Sequence, residues 1–299
     1  MLYFDEERVR ALLDWDALIA AMEASLAAFS ASQVRQPLRT MLTIDERQRY
    51  LGVMPAVAAD VMGLKFVTFY PINEGTGIPT HNAAILLFET RSGQALAALD
   101  GTLITEMRTA AVSAAVTKYL MPARSRVLAL LGTGVQARAH LAAFSRIAQF
   151  DEVRVWSRSA EHAQRFAHEH GAIATDAETA VRGADVIVVA TMATQPVLHG
   201  AWLEPGAHVN AVGAVNPTWR ELDDDAMSAC LIVDSREAAA RESGDVILSK
   251  APMYAEAGEI FAGIKPVPTG TTVFKSVGLA IEDVAAARLV FERATQPRD

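Results

Sequence analysis

Cysteine is almost absent from this chain: one, Cys230, in 299 residues. No internal disulfide can form, which points to a reduced, cytoplasmic setting with Cys230 as an ordinary core residue. No apolar run reaches the roughly 20 residues that span a bilayer. The opening Met1-Leu-Tyr-Phe-Asp-Glu-Glu7 has neither the basic nor the apolar stretch of a signal peptide. No membrane partner is therefore expected. Positive charge is in deficit as well, with 27 Lys and Arg against 35 Asp and Glu for a net −8. A nucleic-acid groove needs a basic stripe to displace counterions, and no basic cluster is there to make one. There is no internal repeat, P-loop or nucleophile elbow. His168-Glu-His170 sits on a polar helix end without a third ligand, so no metal is expected.

What is present reads as an ordinary globular protein, 51% hydrophobic and 21% charged, long enough for two domains. Asp14 can cap a first helix in which Leu18, Met22, Leu26 and Phe29 recur at helical spacing. Strand-like runs follow at Leu38–Ile44, Tyr50–Val57, Leu64–Tyr70, Ala83–Phe88 and Ala95–Leu99, separated by turn material at 71–79 and 91–93. Closely spaced strands without helices between them predict a mainly antiparallel sheet. An alanine-rich helix, Leu103–Leu120, closes this half just before Pro122. From Arg126 the pattern changes. Val127–Leu131 is a wholly apolar strand, and helical stretches then alternate with Val153–Trp156, Val186–Ala190, Val209–Val212 and Leu231–Val233. That alternation predicts a doubly wound α/β domain over 121–278. A last helix, Ile281–Ala294, is expected to return to the N-terminal half, making an α+β domain of 1–120 with 279–299.

Gly132-Thr-Gly134-Val135-Gln136-Ala137 lies between the first apolar strand and a helix. Gly132 permits the tight turn, Gly134 lets backbone approach a pyrophosphate, and Ala137 keeps the helix close to the sheet. The helix N-terminus at Val135 offers free N–H groups to the phosphates. The end of the second strand discriminates between cofactors. An NAD site usually places a carboxylate there; this chain has Ser157-Arg158-Ser159, with no carboxylate before Glu161. Arg158 can pair with a 2′-phosphate and the serines can donate to it, so NADP is favoured and NAD is the alternative.

Three cations fall in apolar company. Lys65 shares a strand face with Val67 and Phe69, Arg108 lies on a helical stripe between Ile104 and Val112, and Arg39 falls on a predicted strand. A charge in such a place needs a partner. Spacing alone leaves three readings open: a pocket for a substrate carboxylate, capping by internal carboxylates, or snorkelling to solvent.

Across nearly its whole length the chain resembles the ornithine cyclodeaminase and mu-crystallin family. The similarity is carried by Leu51-Gly-Val-Met-Pro55, Lys65-Phe-Val-Thr-Phe-Tyr70, Pro79-Thr-His-Asn-Ala83, Asp100–Ala111, Gly132–Ala137, His208–Ala214, Glu242-Ser-Gly-Asp245 and Phe274-Lys-Ser-Val-Gly278. The resemblance implies a homodimer in which the N-terminal half with the C-terminal helix supplies the dimer sheet and substrate pocket. It implies that Arg39, Lys65 and Arg108 hold a substrate carboxylate beside the nicotinamide. It further implies that Thr80, Thr109, Gln136, Thr191, Met192, Val212 and Ser276 line the cofactor, with His81 close by as a candidate proton relay. Two departures separate the chain from ornithine cyclodeaminases: Val215 where they have an aspartate thought to serve ring closure, and Gly52 where they have a glutamate. On both, and in Trp156-Ser-Arg-Ser159, it looks more like the mu-crystallin branch, associated with ketimine reduction. The expectation is NAD(P)H-dependent reduction of the C=N bond of a small, cyclic imino acid. Ornithine cyclodeamination, amino-acid dehydrogenation and a non-enzymatic NADPH-gated binding protein are the alternatives.

Overall fold

A computed structural model describes residues 1–45, 49–59, 61–73 and 75–296. The chain forms two compact units, Met1–Arg108 with Leu279–Asp299, and Thr109–Gly278. The division falls inside the helix Gly101–Leu120 rather than at its C-terminal end.

The first unit opens with β1 (Leu2–Phe4), α1 (Glu6–Leu12) and α2 (Trp15–Ser30). Asp14 caps α2, its carboxylate accepting from the Ala17 N–H at 3.0 Å, and Leu18, Ile19, Met22 and Leu26 are buried along the helix. Strands β2 (Val34–Arg35), β3 (Thr40–Asp45), β4 (Arg49–Ala58), β5 (Val61–Phe69), β6 (His81–Glu89) and β7 (Ala95–Asp100) follow, and α3 (Gly101–Leu120) closes the series. The sheet runs β1-β7-β6-β5-β4-β2, with β3 also on β4. Every pairing is antiparallel except that of the edge strand β1 with β7. The C-terminal helix Ala280–Thr295 does return here, packing on α2, β4, β5 and β6 and burying Ile281, Val284, Ala287 and Val290.

Period-two alternation gives the sheet two unlike faces. Val61, Gly63 and Lys65 of β5 are buried under the C-terminal helix. The opposite face carries Leu42, Leu51, Val53, Val57, Leu64 and Phe66, each exposed or half-buried.

The second unit is a parallel sheet wrapped by helices. Its elements are β8 (Val127–Leu131), α4 (Val135–Phe144), β9 (Glu152–Trp156), α5 (Ala160–His170), β10 (Ile173–Ala174), α6 (Ala177–Val181), β11 (Val186–Val189) and β12 (His208–Ala211). Then come α7 (Asp224–Met227), β13 (Cys230–Val233), α8 (Arg236–Glu242), α9 (Gly244–Ser249), β14 (Met253–Glu256), α10 (Ala257–Phe261) and β15 (Thr272–Lys275). The order β10-β9-β8-β11-β12-β15-β13-β14 is doubly wound, with the switch point between β8 and β11. Val127–Leu131, Val186–Val189 and β12 form its apolar centre. Three strands of this sheet escape the pattern reading, β10, β14 and β15, as β1 and β2 do in the other. Among the described residues no helix is long and apolar enough to cross a membrane, and no group of three His, Cys, Asp or Glu could hold a metal.

Candidate active site

In the first unit, two of the three cations share one buried cluster. Lys65, on the helix-facing side of β5, is 2% exposed, and its ammonium pairs with Asp283 Oδ2 at 2.7 Å and donates to Thr105 Oγ1 at 3.3 Å. Arg108, on α3, is also buried; it donates to Asp283 Oδ1 from Nε at 3.1 Å and to Glu282 Oε2 from Nη1 at 2.6 Å. Internal carboxylates thus cap both cations. These contacts use two of the lysine's three donors and two of the guanidinium's five. Capping by internal carboxylates is one of the three readings that the spacing leaves open, and Glu282 and Asp283 are the acids that do it. They lie in the first turn of the C-terminal helix, where the helix N-terminus favours negative charge.

Burial pushes the Lys65 ammonium down to about 8; Asp283 opposes the fall, while Arg108 and Arg39 add to it. For Arg108, burial also works against the charge, but Asp283 and Glu282 outweigh it and raise the guanidinium. Arg39 is half-buried and precedes β3 rather than lying on it. The strand starts one residue later, at Thr40. On the same sheet face beyond Lys65, the pairing Tyr50–Phe69–His81 sets three rings in a row, with Phe69 and His81 centroids 4.5 Å apart. Desolvation by the surrounding chain, and after it the Lys65 ammonium, push the His81 imidazole down. Thr80 is half-buried just before it, with its hydroxyl 3.2 Å from His81 Nδ1.

In the second unit, the expected cofactor residues gather at the carboxyl ends of the strands. Gly132 has φ +123°, and a Cβ there would lie 2.3 Å from the Ala190 carbonyl oxygen, so only glycine fits. Gly134 precedes α4 without a side-chain cap, and a Cβ there would meet nothing within 4 Å. Exposed Val135 opens the helix, Ala137 is buried beneath it, and Gln136 keeps a buried Oε1 with no hydrogen-bond partner among the described residues. Open space before a helix N-terminus with free N–H groups fits a pyrophosphate, and the orphaned Gln136 Oε1, an acceptor, fits a donor elsewhere on a dinucleotide, such as a ribose hydroxyl. Ser157, Arg158 and Ser159 follow β9; Arg158 is exposed, and Ser159 caps α5 by accepting from the His162 N–H at 3.3 Å. That leaves the Ser159 hydroxyl proton to donate.

Thr191 and exposed Met192 follow β11, half-buried Val212 follows β12, and buried Ser276 follows β15. Ser276 donates to Asp234 Oδ2 at 3.0 Å, and the same oxygen accepts from the Val277 and Gly278 N–H groups. Thr109 is half-buried within α3.

A family model for the ornithine cyclodeaminase/mu-crystallin family matches residues 3–298. The ketimine reductase mu-crystallin of Mus musculus is 50% identical over 285 residues, covering 92% of this chain and 91% of that protein. Among solved structures, Thermococcus litoralis Delta(1)-pyrroline-2-carboxylate reductase in complex with NADH and L-proline superposes with a TM-score of 0.93 at 33% identity, over 98% of this chain and 97% of the other. An archaeal alanine dehydrogenase dimer with bound NAD gives 0.91 at 32% identity, over 98% and 96%. The chain belongs to the ornithine cyclodeaminase/mu-crystallin family.

Proposed function

We propose that this protein is an NAD(P)H-dependent reductase of the C=N bond of a small, cyclic imino acid, acting as a cytoplasmic homodimer. The observation that carries the reading is Lys65: a buried ammonium brought to about 8, beside a second buried cation, on the unit that does not carry the glycine loop. The names of the relatives support it, a ketimine reductase and an imino-acid reductase bound to NADH and proline. Arg108 and Arg39 grip the substrate carboxylate, Arg108 with donors that its carboxylate partners leave over. Lys65 hydrogen-bonds the substrate and supplies the proton that the imine nitrogen takes. A pKa close to the working pH suits a proton donor. When bound, the reduced nicotinamide supplies the hydride to the imine carbon.

Gly132, Gly134 and Val135 receive the pyrophosphate, while Thr80, Thr109, Gln136, Thr191, Met192, Val212 and Ser276 line the rest of the cofactor. Dimerisation through the uncovered apolar face of the β1–β7 sheet would bury Leu42, Val57 and Phe66, which a lone chain leaves 39–53% exposed. A neighbour described as a dimer supports dimerisation as such.

NADPH is expected to bind more tightly than NADH, and Arg158→Ala to narrow the gap. A charge-assisted contact contributes roughly 1.5–3 kcal/mol, or about ten- to hundredfold in affinity. Fluorescence titrations in which NADH binds as well as NADPH would overturn the preference.

The site also speaks against ornithine cyclodeamination. Val215, 45% exposed, can neither orient an amino group nor accept a proton. A Cβ at Gly52 would lie 2.9 Å from Val67 Cγ1 and 3.0 Å from Met41 Sδ, so a glutamate there would force both aside. Incubation with ornithine and catalytic NAD should release no ammonia at a useful rate; robust release would show this part wrong. A panel of cyclic imino acids, plus keto acids with ammonia, followed by loss of NADPH absorbance, tests the reductase reading itself. Consumption only with a keto acid and ammonia would indicate an amino-acid dehydrogenase, and no consumption with any of them a binding protein.

A further inference from the structure

A second charged cluster lies under the loops at the carboxyl edge of the parallel sheet, wholly within the Thr109–Gly278 unit. Glu221, Asp245 and Lys275 are each completely buried. Glu221 Oε1 accepts from both the N–H and the hydroxyl of Thr191, each at 2.7 Å, and the Thr191 hydroxyl oxygen in turn accepts from the Ala193 N–H at 3.1 Å. One carboxylate oxygen therefore folds the turn that follows β11. The turn after β12 is fitted to the same carboxylate: a Cβ on Gly213 would lie 2.5 Å from Glu221 Oε1 and 2.3 Å from the Thr191 carbonyl oxygen. Asp245, from α9, fastens the acid's own backbone by accepting from the Glu221 and Leu222 N–H groups at 2.8 and 3.1 Å. Asp245 also pairs with Lys275 at 2.9 Å, and Lys275, closing β15, donates to the Gly213 carbonyl. The turns after β11 and β12 thus meet at one acid, and the last residue of β15 is tied to them through Asp245 and Gly213.

We propose that Glu221 is a positioning residue for the cofactor: through Thr191 and Gly213 it holds the turns that receive the nicotinamide end, and its ionisation governs how firmly they are held. The inference rests on the assignment of Thr191, Met192 and Val212 to the cofactor. As a carboxylate, Glu221 makes charge-assisted bonds to Thr191; as a neutral acid it makes bonds about half as strong. The proton has a place to go without displacing Thr191, because Oε2 is buried and has no hydrogen-bond partner among the described residues. Burial pushes Glu221 up to about 7, with Lys275 and the Thr191 donors opposing and Asp245 reinforcing the rise. The ionised form, whose bonds to Thr191 are the stronger, is the one that receives nicotinamide, so affinity rises with pH through this window and binding releases a proton.

The test compares NADPH with 2′-phospho-ADP-ribose, which keeps every phosphate and lacks the nicotinamide. Both are titrated against wild-type protein and Glu221→Gln between about pH 6 and about pH 8. In the wild type, the NADPH Kd relative to that of the fragment should tighten by roughly tenfold across the range. In Glu221→Gln the ratio should be flat and the fragment Kd unchanged. A merely structural role would shift both ligands alike at every pH. A wild-type ratio that does not change with pH, a result that needs no variant, overturns the inference. So does a Glu221→Gln ratio that still follows the wild-type curve. If the fragment itself fails to bind wild-type protein, the cofactor assignment falls, and this inference with it.

Discussion

Asp283→Ala should lower the free energy of unfolding by about 3–5 kcal/mol, the usual cost of removing one partner from a buried ion pair. Asp283 takes Lys65 at 2.7 Å and Arg108 at 3.1 Å, and all three side chains are at most 6% exposed. Without it Lys65 keeps only Thr105 and Arg108 only Glu282 of these partners, and both cations stay almost wholly buried. The position of Asp283 in the first helical turn contributes less, about 0.3–1 kcal/mol. Loss of the carboxylate also removes the main influence holding the Lys65 pKa up, so the ammonium should discharge below about 8. Urea unfolding at neutral pH measures the effect. A loss under about 1 kcal/mol would mean that the cluster is solvated in solution.

Lys65→Met has the opposite profile: a folded protein with near-normal NADPH affinity and almost no turnover. Methionine keeps an apolar stem of similar length, and Asp283 still has Arg108 as a partner. Loss of a general acid costs about 10²–10⁴ in rate. The wild type provides a companion measurement. Lys65 must be protonated to act, and its free-enzyme pKa is about 8, so kcat/KM should fall as pH rises through that value. A bound substrate carboxylate raises the lysine, so the corresponding limb in kcat should lie at higher pH. Wild-type kcat/KM for Lys65→Met on a verified imine would make Lys65 structural and move the pocket elsewhere.

The sequence patterns that reveal this fold are the ones whose physics is local. The apolar run Val127–Leu131 followed by Gly132 and Gly134 announces a parallel strand and a phosphate turn, because burial on both faces and a positive φ each leave a mark on residue choice. The antiparallel meander shows in alternation and turn residues. The strands β10 and β15 leave no such mark: the first has two residues, and the second is Thr-Val-Phe-Lys, polar at both ends yet buried in mid-sheet. Lys65 and Arg108 are legible as cations out of place, but their partners are not. Glu282 and Asp283 look like ordinary first-turn acids, and only the return of the C-terminal helix buries them against residues distant in the chain. Glu221, Asp245 and Lys275 are hidden for the same reason: each is an unremarkable charge until three strand ends meet. Two carboxylates in the first turn of a helix as apolar as Ala280–Thr295 were the one available hint.

Reduction at an imine carbon leaves a mark on the product. The most direct test is to run the panel of cyclic imino acids with NADPH deuterated at the transferable position of the nicotinamide ring and to isolate the product of any that is consumed. The product amino acid, analysed by mass spectrometry and proton NMR, should carry one deuterium on the carbon that bears the carboxylate and none elsewhere. Product without deuterium there, or NADPH left unconsumed across the whole panel, would contradict it.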